Sequence, residues 1–199
     1  MKKRFIALML AAATCLGVPS VAMAKPQPKD EIVSHYAADD DIVMLGKNSL
    51  KTMTTSSGTR VWNVTVKEFV NALRSFGDYS LDDLKKVKDK NVFYQKYRDA
   101  TIYFYGTSKD HSKAYLKKVV VTCDKNASDR SVDFTAAMLG SCMLIFSYYD
   151  TDDALDLLDD LEMDEMDFKT STSASVNTAK FKLSYPSKSK YSVTITPIA

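Results

Sequence analysis

Two stretches of strict alternation near the C-terminus constrain this chain more than any other feature. Phe181, Leu183 and Tyr185 alternate with Lys180, Lys182 and Ser184, and Tyr191, Val193 and Ile195 repeat the pattern beyond a turn at Pro186 to Ser189. Successive side chains of a strand point to opposite faces, so the segment reads as a hairpin with one apolar and one wet face. An isolated hairpin is marginal in water, and its apolar face requires a second layer to cover it.

The rest of the chain supplies both more sheet and the cover. Runs at roughly 92–97, 100–105 and 114–122 are rich in Val, Ile, Tyr and Phe and are separated by polar or Gly-containing turns, which predicts an antiparallel meander. Residues 49–55 and 59–64 flank Ser56-Ser57-Gly58 and suit a smaller hairpin carrying Trp62. Thr65 with Glu68 three residues on forms a capping box, and Val66, Phe69, Val70, Leu73 and Phe76 follow at helical spacing up to Gly77, a candidate left-handed cap. Ser80 then opens a second, shorter helix with Leu81, Leu84 and Val87 on one side and Asp82 and Asp83 in its first turn.

A second helical pair is expected at 131–148, which is apolar on most sides, and from Thr151 onward, where Leu155, Leu158 and Leu161 share a stripe. A Ser/Thr-rich connector at 170–178 leads into the last hairpin. The predicted fold class is therefore α+β: an antiparallel sheet, meander plus C-terminal hairpin, packed by two helical hairpins in a single domain over 31–199. Helices-then-strands occurs twice in this order, but no fixed period links the halves, so they are similar architecture and not repeats. Residues 31–45 fit either a short helix followed by a strand or an irregular segment.

The N-terminus carries an address. Lys2, Lys3 and Arg4 precede the apolar run Phe5–Leu16, and Ala22-Met23-Ala24 offers a small-x-small cleavage site, so residues 1–24 read as an export signal and the mature chain as beginning at Lys25. Gly17 and Pro19 break the apolar run short of the roughly 20 residues that span a bilayer, so no stable membrane span is expected after cleavage. Ala12-Ala13-Thr14 before Cys15 is a poor lipid-attachment context. Two prolines in 25–30 predict a flexible lead-in. Periplasmic or secreted localisation follows as the expectation.

Cleavage alters the charge balance. Three of the 27 basic residues leave and all 25 acidic ones stay, giving a formal charge of about −1. A near-neutral domain has no overall attraction to nucleic acid, so binding of that kind would need a local basic patch, and no nucleic-acid partner is expected. Cleavage also removes Cys15, leaving Cys123 and Cys142. In an oxidising compartment these read as a disulfide closing an 18-residue loop, worth about 3 kcal/mol in the chain-entropy model. The competing reading is a buried free Cys142 among Met143, Leu144 and Ile145.

No catalytic signature emerges. His35 and His111 are the only histidines, His111 lies in the polar cluster Ser108–Ser112, and neither a G-x-S-x-G elbow nor an H-E-x-x-H pair is present. Asp150 to Asp167 gathers ten of the acidic residues, yet Leu155 and Leu161 occupy the positions where a calcium loop needs glycine and a bidentate glutamate, so the run reads as a solvated helix face or a docking face for a basic partner. No metal and no cofactor are expected.

Tyr94, Tyr97, Tyr103, Tyr105 and Tyr115 alternate with Lys96, Arg98, Lys113, Lys117 and Lys118, a mixture able to stack on sugars or bases while countering phosphate charge. Tyrosine alternating with lysine also serves ordinary sheet packing and edge protection. Tyr97, Tyr103, Tyr105, Lys96 and Lys117 are the candidate binding residues. Tyr103 and Tyr105 share a parity, and a meander is expected to bring Tyr97 beside them. The chain thus reads as an exported, non-catalytic protein that binds another macromolecule, protein or glycan. The alternatives are a small secreted hydrolase with a site assembled from distant residues, or a structural envelope component.

Overall fold

The computed structural model describes residues 43–76, 81, 84–161 and 171–198. The segments expected to be an export signal, 1–24, and a lead-in, 25–30, and the expected cap Gly77 lie outside these described residues. Among them the chain forms an α+β fold with three helices, a two-stranded ribbon and a seven-stranded antiparallel sheet.

The ribbon pairs β1 (Thr52–Thr54) with β2 (Arg60–Trp62). Its turn needs Gly58, whose φ of 78° lies in the left-handed region that a side chain disfavours. Helix α1 (Val66–Arg74) starts as its sequence dictates: the Thr65 hydroxyl accepts from the Glu68 amide at 3.2 Å, and the Glu68 carboxylate accepts from the Thr65 amide at 2.8 Å. Such a cap contributes about 1 kcal/mol. Val66, Phe69, Val70, Leu73 and Phe76 are all buried, so the whole predicted stripe faces the core. The helix closes earlier than expected, with a right-handed cap at Ser75.

The segment expected to be a second helix after Ser80 departs from that expectation. Ser80, Asp82 and Asp83 lie outside the described residues, but Lys85–Lys86 forms strand β3, with Lys85 opposite Tyr94 and Lys86 opposite Phe93 of β4 (Val92–Tyr97). The chain then reverses at Asp89 (φ 59°), with the Val87 amide bonded to the Val92 carbonyl at 2.9 Å. An open strand edge offers backbone partners that a three-residue apolar stripe cannot match, so tertiary pairing overrides local helical preference.

Strands β5 (Ala100–Gly106) and β6 (Leu116–Asp124) complete the meander. Helices α2 (Asp129–Phe146) and α3 (Thr151–Asp160) form the expected pair. Asp150 caps α3 by accepting from the Asp152 and Asp153 amides. The Ser/Thr-rich connector contains an unanticipated strand, β7 (Ser173–Val176), antiparallel to β8 (Ala179–Ser187), which pairs in turn with β9 (Lys190–Pro197). The sheet order is β3-β4-β5-β6-β9-β8-β7, so the last strand inserts beside β6 and joins meander to hairpin.

One apolar core fills the space between sheet and helices. Ile102, Phe104, Val119, Val121, Phe181, Leu183, Val193 and Ile195 line its sheet side, and Phe134, Leu139, Met143 and Phe146 line its α2 side. Phe146 is the hub, with ring centroids 4.7 Å from Trp62, 5.4 Å from Phe69 and 6.1 Å from Phe181. The carbonyl of Phe146 accepts from the Asn177 side chain at 2.9 Å, which satisfies a helix-end acceptor and fixes the β7–β8 turn.

The expected disulfide is not formed: Cys123 and Cys142 are both free and buried. Cys123 projects from β6 toward the start of α2, its Sγ 4.0 Å from the Ser131 carbonyl. Cys142 lies eleven residues farther along the same helix, about 16 Å of axial rise and far beyond the Cα separation a disulfide tolerates. Burial alone pushes the Cys142 thiol well above its ordinary pKa. Among the described residues, no helix is long and apolar enough to cross a membrane.

Candidate functional site

Cross-strand register sorts the sheet's side chains into two faces. Helices cover the face carrying Ile102 and Phe104, while no described element covers the face carrying Tyr103 and Tyr105. On that open face Lys85, Tyr94, Tyr103, Val120, Thr194 and Lys182 fall in one row across six strands. A second row joins Tyr105, Lys118 and Lys180, and a third runs from Lys96 through Thr101, Thr122 and Ser192 to Ser184.

The site residues named from sequence divide accordingly. Tyr103, Tyr105 and Lys96 are on the open face. Lys117 sits at the irregularity where the pairing skips from Tyr105↔Lys118 to Gly106↔Leu116. Tyr97 is a correction: it lies opposite Ala100, on the helix-covered face, and its ring stacks on Phe134 at 5.1 Å. The two-residue turn Arg98-Asp99, with Arg98 at φ 52°, makes positions 97 and 100 neighbours, so odd-numbered Tyr97 shares a face with even-numbered Ile102 and Phe104.

Tyr94 takes the place intended for Tyr97. Its ring lies 5.9 Å from that of Tyr103 in a tilted pair. Beside them the Lys118 ammonium sits 3.9 Å above the Tyr105 ring, a close cation–π contact. Partial burial, followed by the neighbouring Tyr103, raises the Tyr105 pKa. The hydroxyls of the third row bond inward, Thr122 to the Thr101 carbonyl and Ser184 to the Ser192 carbonyl, each at 3.3 Å. Among the described residues, register puts Lys85, Lys96, Lys118, Lys180, Lys182 and Lys190 on the open face against a single carboxylate, Asp124, which Lys190 approaches at 3.4 Å. The result is a local basic patch on a nearly neutral chain.

Acidic residues collect on the opposite side of the molecule, where Asp152, Asp153, Asp156, Asp159 and Asp160 of α3 are exposed or nearly so. Among the described residues no three His, Cys, Asp or Glu side chains converge as metal ligands would.

A polar cluster that the sequence reading missed ties sheet to helix. The Asp99 carboxylate accepts from the Ser128 amide at 3.2 Å, the Ser131 hydroxyl at 3.1 Å and the Ser128 hydroxyl at 3.4 Å. Those bonds, the Ser128 amide first, hold its pKa below 3.8. The cluster clamps the β4–β5 turn to the start of α2. His111 is exposed in the loop between β5 and β6, 5.7 Å from the Phe93 ring. Its neighbour Asp110 turns back to accept from Ser112, at 2.7 Å from the hydroxyl and 3.0 Å from the amide. His35 lies outside the described residues.

An α+β fold with a lysine- and tyrosine-bearing sheet face that no described element covers is what fold and site together define. Comparison with protein-family models, with characterised proteins and with solved structures finds no match.

Proposed function

We propose that this chain is an exported, non-catalytic binding protein whose open sheet face holds an acidic glycan at the cell envelope or outside the cell. The observation that carries the reading is the six-to-one excess of lysine over carboxylate among the described residues of a sheet face that also bears the Tyr94–Tyr103 pair. Aromatic rings offer stacking surface to sugars, ammonium groups counter uronate or sulfate charge, and both act without a deep pocket. A glycan fits better than a protein partner because protein interfaces are depleted in lysine, which dominates this face. Export is supported by the basic head, apolar run and Ala-x-Ala site of residues 1–24.

The test has two arms. Intact mass and N-terminal sequencing of the protein made by its own cells should give Lys25 as first residue; a retained leader or a lipid-modified Cys15 rejects export in this form. Binding of the purified protein to a polyuronate oligosaccharide should exceed binding to a neutral glucan and weaken with salt. The pair Lys118→Glu and Lys182→Glu, and separately Tyr103→Ala, should each lower affinity about tenfold, the scale of 1.4 kcal/mol. Equal binding of the neutral glucan, or variants that bind like the parent, removes this face from the function.

A further inference from the structure

The part of the open face built by β7, β8 and β9 differs in chemistry from the part built by β4 and β5. Register places Ser173 beside Lys182 and Lys182 beside Thr194, and in the next row Ser175 beside Lys180 and Lys180 beside Thr196. Neighbours within a row are about 5 Å apart and the two rows about 7 Å apart, because every second residue of a strand shares a face. Each lysine is therefore flanked by a hydroxyl residue on either side. Strands β7, β8 and β9 contain no aspartate, glutamate or arginine. The tyrosines of the face, Tyr94, Tyr103 and Tyr105, stand on β4 and β5.

The hydroxyls of this lattice also differ from those beside it. Thr122 and Ser184 donate theirs to sheet carbonyls, each at 3.3 Å. Among the described residues the hydroxyls of Ser173, Ser175, Thr194 and Thr196 have no hydrogen-bond partner, and Lys180 and Lys182 pair with no carboxylate. Both lysines and both serines are exposed, while the two threonines are half-buried. Strand β9 is held by β6 on one side and β8 on the other, and β-branched threonine has a restricted χ1, so its two hydroxyls are fixed donors.

An ammonium beside a free hydroxyl suits an oxyanion, which accepts from both and makes a charge-assisted bond with the first. The two Lys–Thr pairs rise from different points of the sheet and share no plane. A planar carboxylate is matched best by the coplanar fork of arginine, which these strands lack. A tetrahedral group presents three terminal oxygens in three directions and can accept from donors spread over an area, as phosphate does. Tyr103 and Lys182 lie in one row, three inter-strand steps and about 14 Å apart. Building on the acidic-glycan reading, we infer that the Lys180–Thr196 and Lys182–Thr194 pairs, bordered by Ser175 and Ser173, seat the sulfate esters of a sulfated glycan that lies across the strands with a ring on the Tyr94–Tyr103 pair.

The experiment compares three ligands on one backbone: dextran sulfate, carboxymethyl dextran of matched length and charge number, and uncharged dextran. In calorimetry of the full chain at fixed ionic strength, dextran sulfate should bind at least about tenfold more tightly than the carboxymethyl form. Backbone amide resonances should shift at residues 180–182 and 194–196. Thr194→Val with Thr196→Val removes two hydroxyls while keeping branching and strand preference, and should abolish most of the preference for sulfate. Thr194→Ser with Thr196→Ser keeps the hydroxyls and should retain it. Both pairs leave the charge unaltered, so a ligand held by the general field of the face responds to neither. The ligand comparison is made on the parent protein and decides the matter whatever the variants' stability. Equal binding of the two charged dextrans, shifts confined to other strands, a valine variant with the parent's preference, or a serine variant that loses it as fully as the valine one each overturns the sulfate subsite and leaves the acidic-glycan reading standing. Uncharged dextran binding as tightly as both overturns that reading and the subsite together.

Discussion

Replacing Gly106 with alanine tests how tightly the fold holds the loop between β5 and β6. A Cβ built on Gly106 falls 2.6 Å from the Ala114 Cβ and 3.3 Å from Cγ2 of Val66. Neither neighbour yields easily, since an alanine Cβ has no torsion to rotate away and Val66 is fully buried on α1. Ordinary contact requires a separation nearer 3.6 Å, so backbone must move by about 1 Å. That shift strains the Val66 amide bond to the Ala114 carbonyl at 2.8 Å and the Thr107 amide bond to the Tyr115 carbonyl at 3.1 Å. Overfilling a site of this kind costs about 1–3 kcal/mol. Near the middle of that range, Tm falls by about 4–8 °C for a domain of this size. The swap Gly106→Ala with Ala114→Gly removes the 2.6 Å collision and keeps the 3.3 Å contact, so it should return to within about 1 kcal/mol of the parent, the remainder being the conformational entropy of the new glycine. Urea melts of the four proteins, compared at constant m-value, give the coupling between the two sites. A single Gly106→Ala within about 0.5 kcal/mol of the parent, or a swap no more stable than the sum of its parts, refutes the argument.

Three further outcomes follow from the buried and clamped groups. Asp99 has a folded-state pKa held below 3.8 by Ser128 and Ser131, so its contribution is complete above that value and is lost as pH falls through the lowered one; acid melts of Asp99→Asn should show a deficit at neutral pH that narrows below about pH 4. The Tyr149 hydroxyl accepts from the Leu45 amide at 2.7 Å and burial pushes its pKa up to about 12. Because the neutral form is favoured in the fold, stability should be full below pH 10 and decline as pH rises toward 12, and Tyr149→Phe should flatten that alkaline decline while losing about 1 kcal/mol at neutrality through the orphaned amide. Cys123 and Cys142 should resist a thiol reagent until denaturant is added and then both react; a native mass lower by two hydrogens indicates the disulfide instead.

What the residues revealed in advance was local. The Thr65–Glu68 box and the alternation at Phe181–Tyr185 are satisfied within a few positions of themselves, so they could be read directly. Tyr97 was misplaced because its face depends on the number of residues in one turn, and Arg98-Asp99 lacks the glycine that marks such turns. Lys85–Lys86 became a strand because β4 had a free edge, a fact stored in another segment. The cysteines looked close along the chain, but the helix beginning near Ser131 carries Cys142 away from Cys123. Most of the basic face was hidden for a similar reason: Lys180 and Lys182 join Lys118 and Tyr103 only through β9, whose place beside β6 no nearby residue announces.

That placement of β9 has a consequence for how the chain is made. The strand that bridges the two halves of the sheet pairs Tyr191 with Cys123 and Ile195 with Val119, contacts that close loops of some 70 residues. Such long-range pairing slows folding, and it leaves the edge of β6, with Val119 and Val121, unsatisfied until β9 has been made and docks beside it. A chain truncated before residue 190 should therefore be sticky and sensitive to protease, as limited proteolysis of such a truncation would show. The eight residues of β9 thus act as a latch that joins the meander to the hairpin.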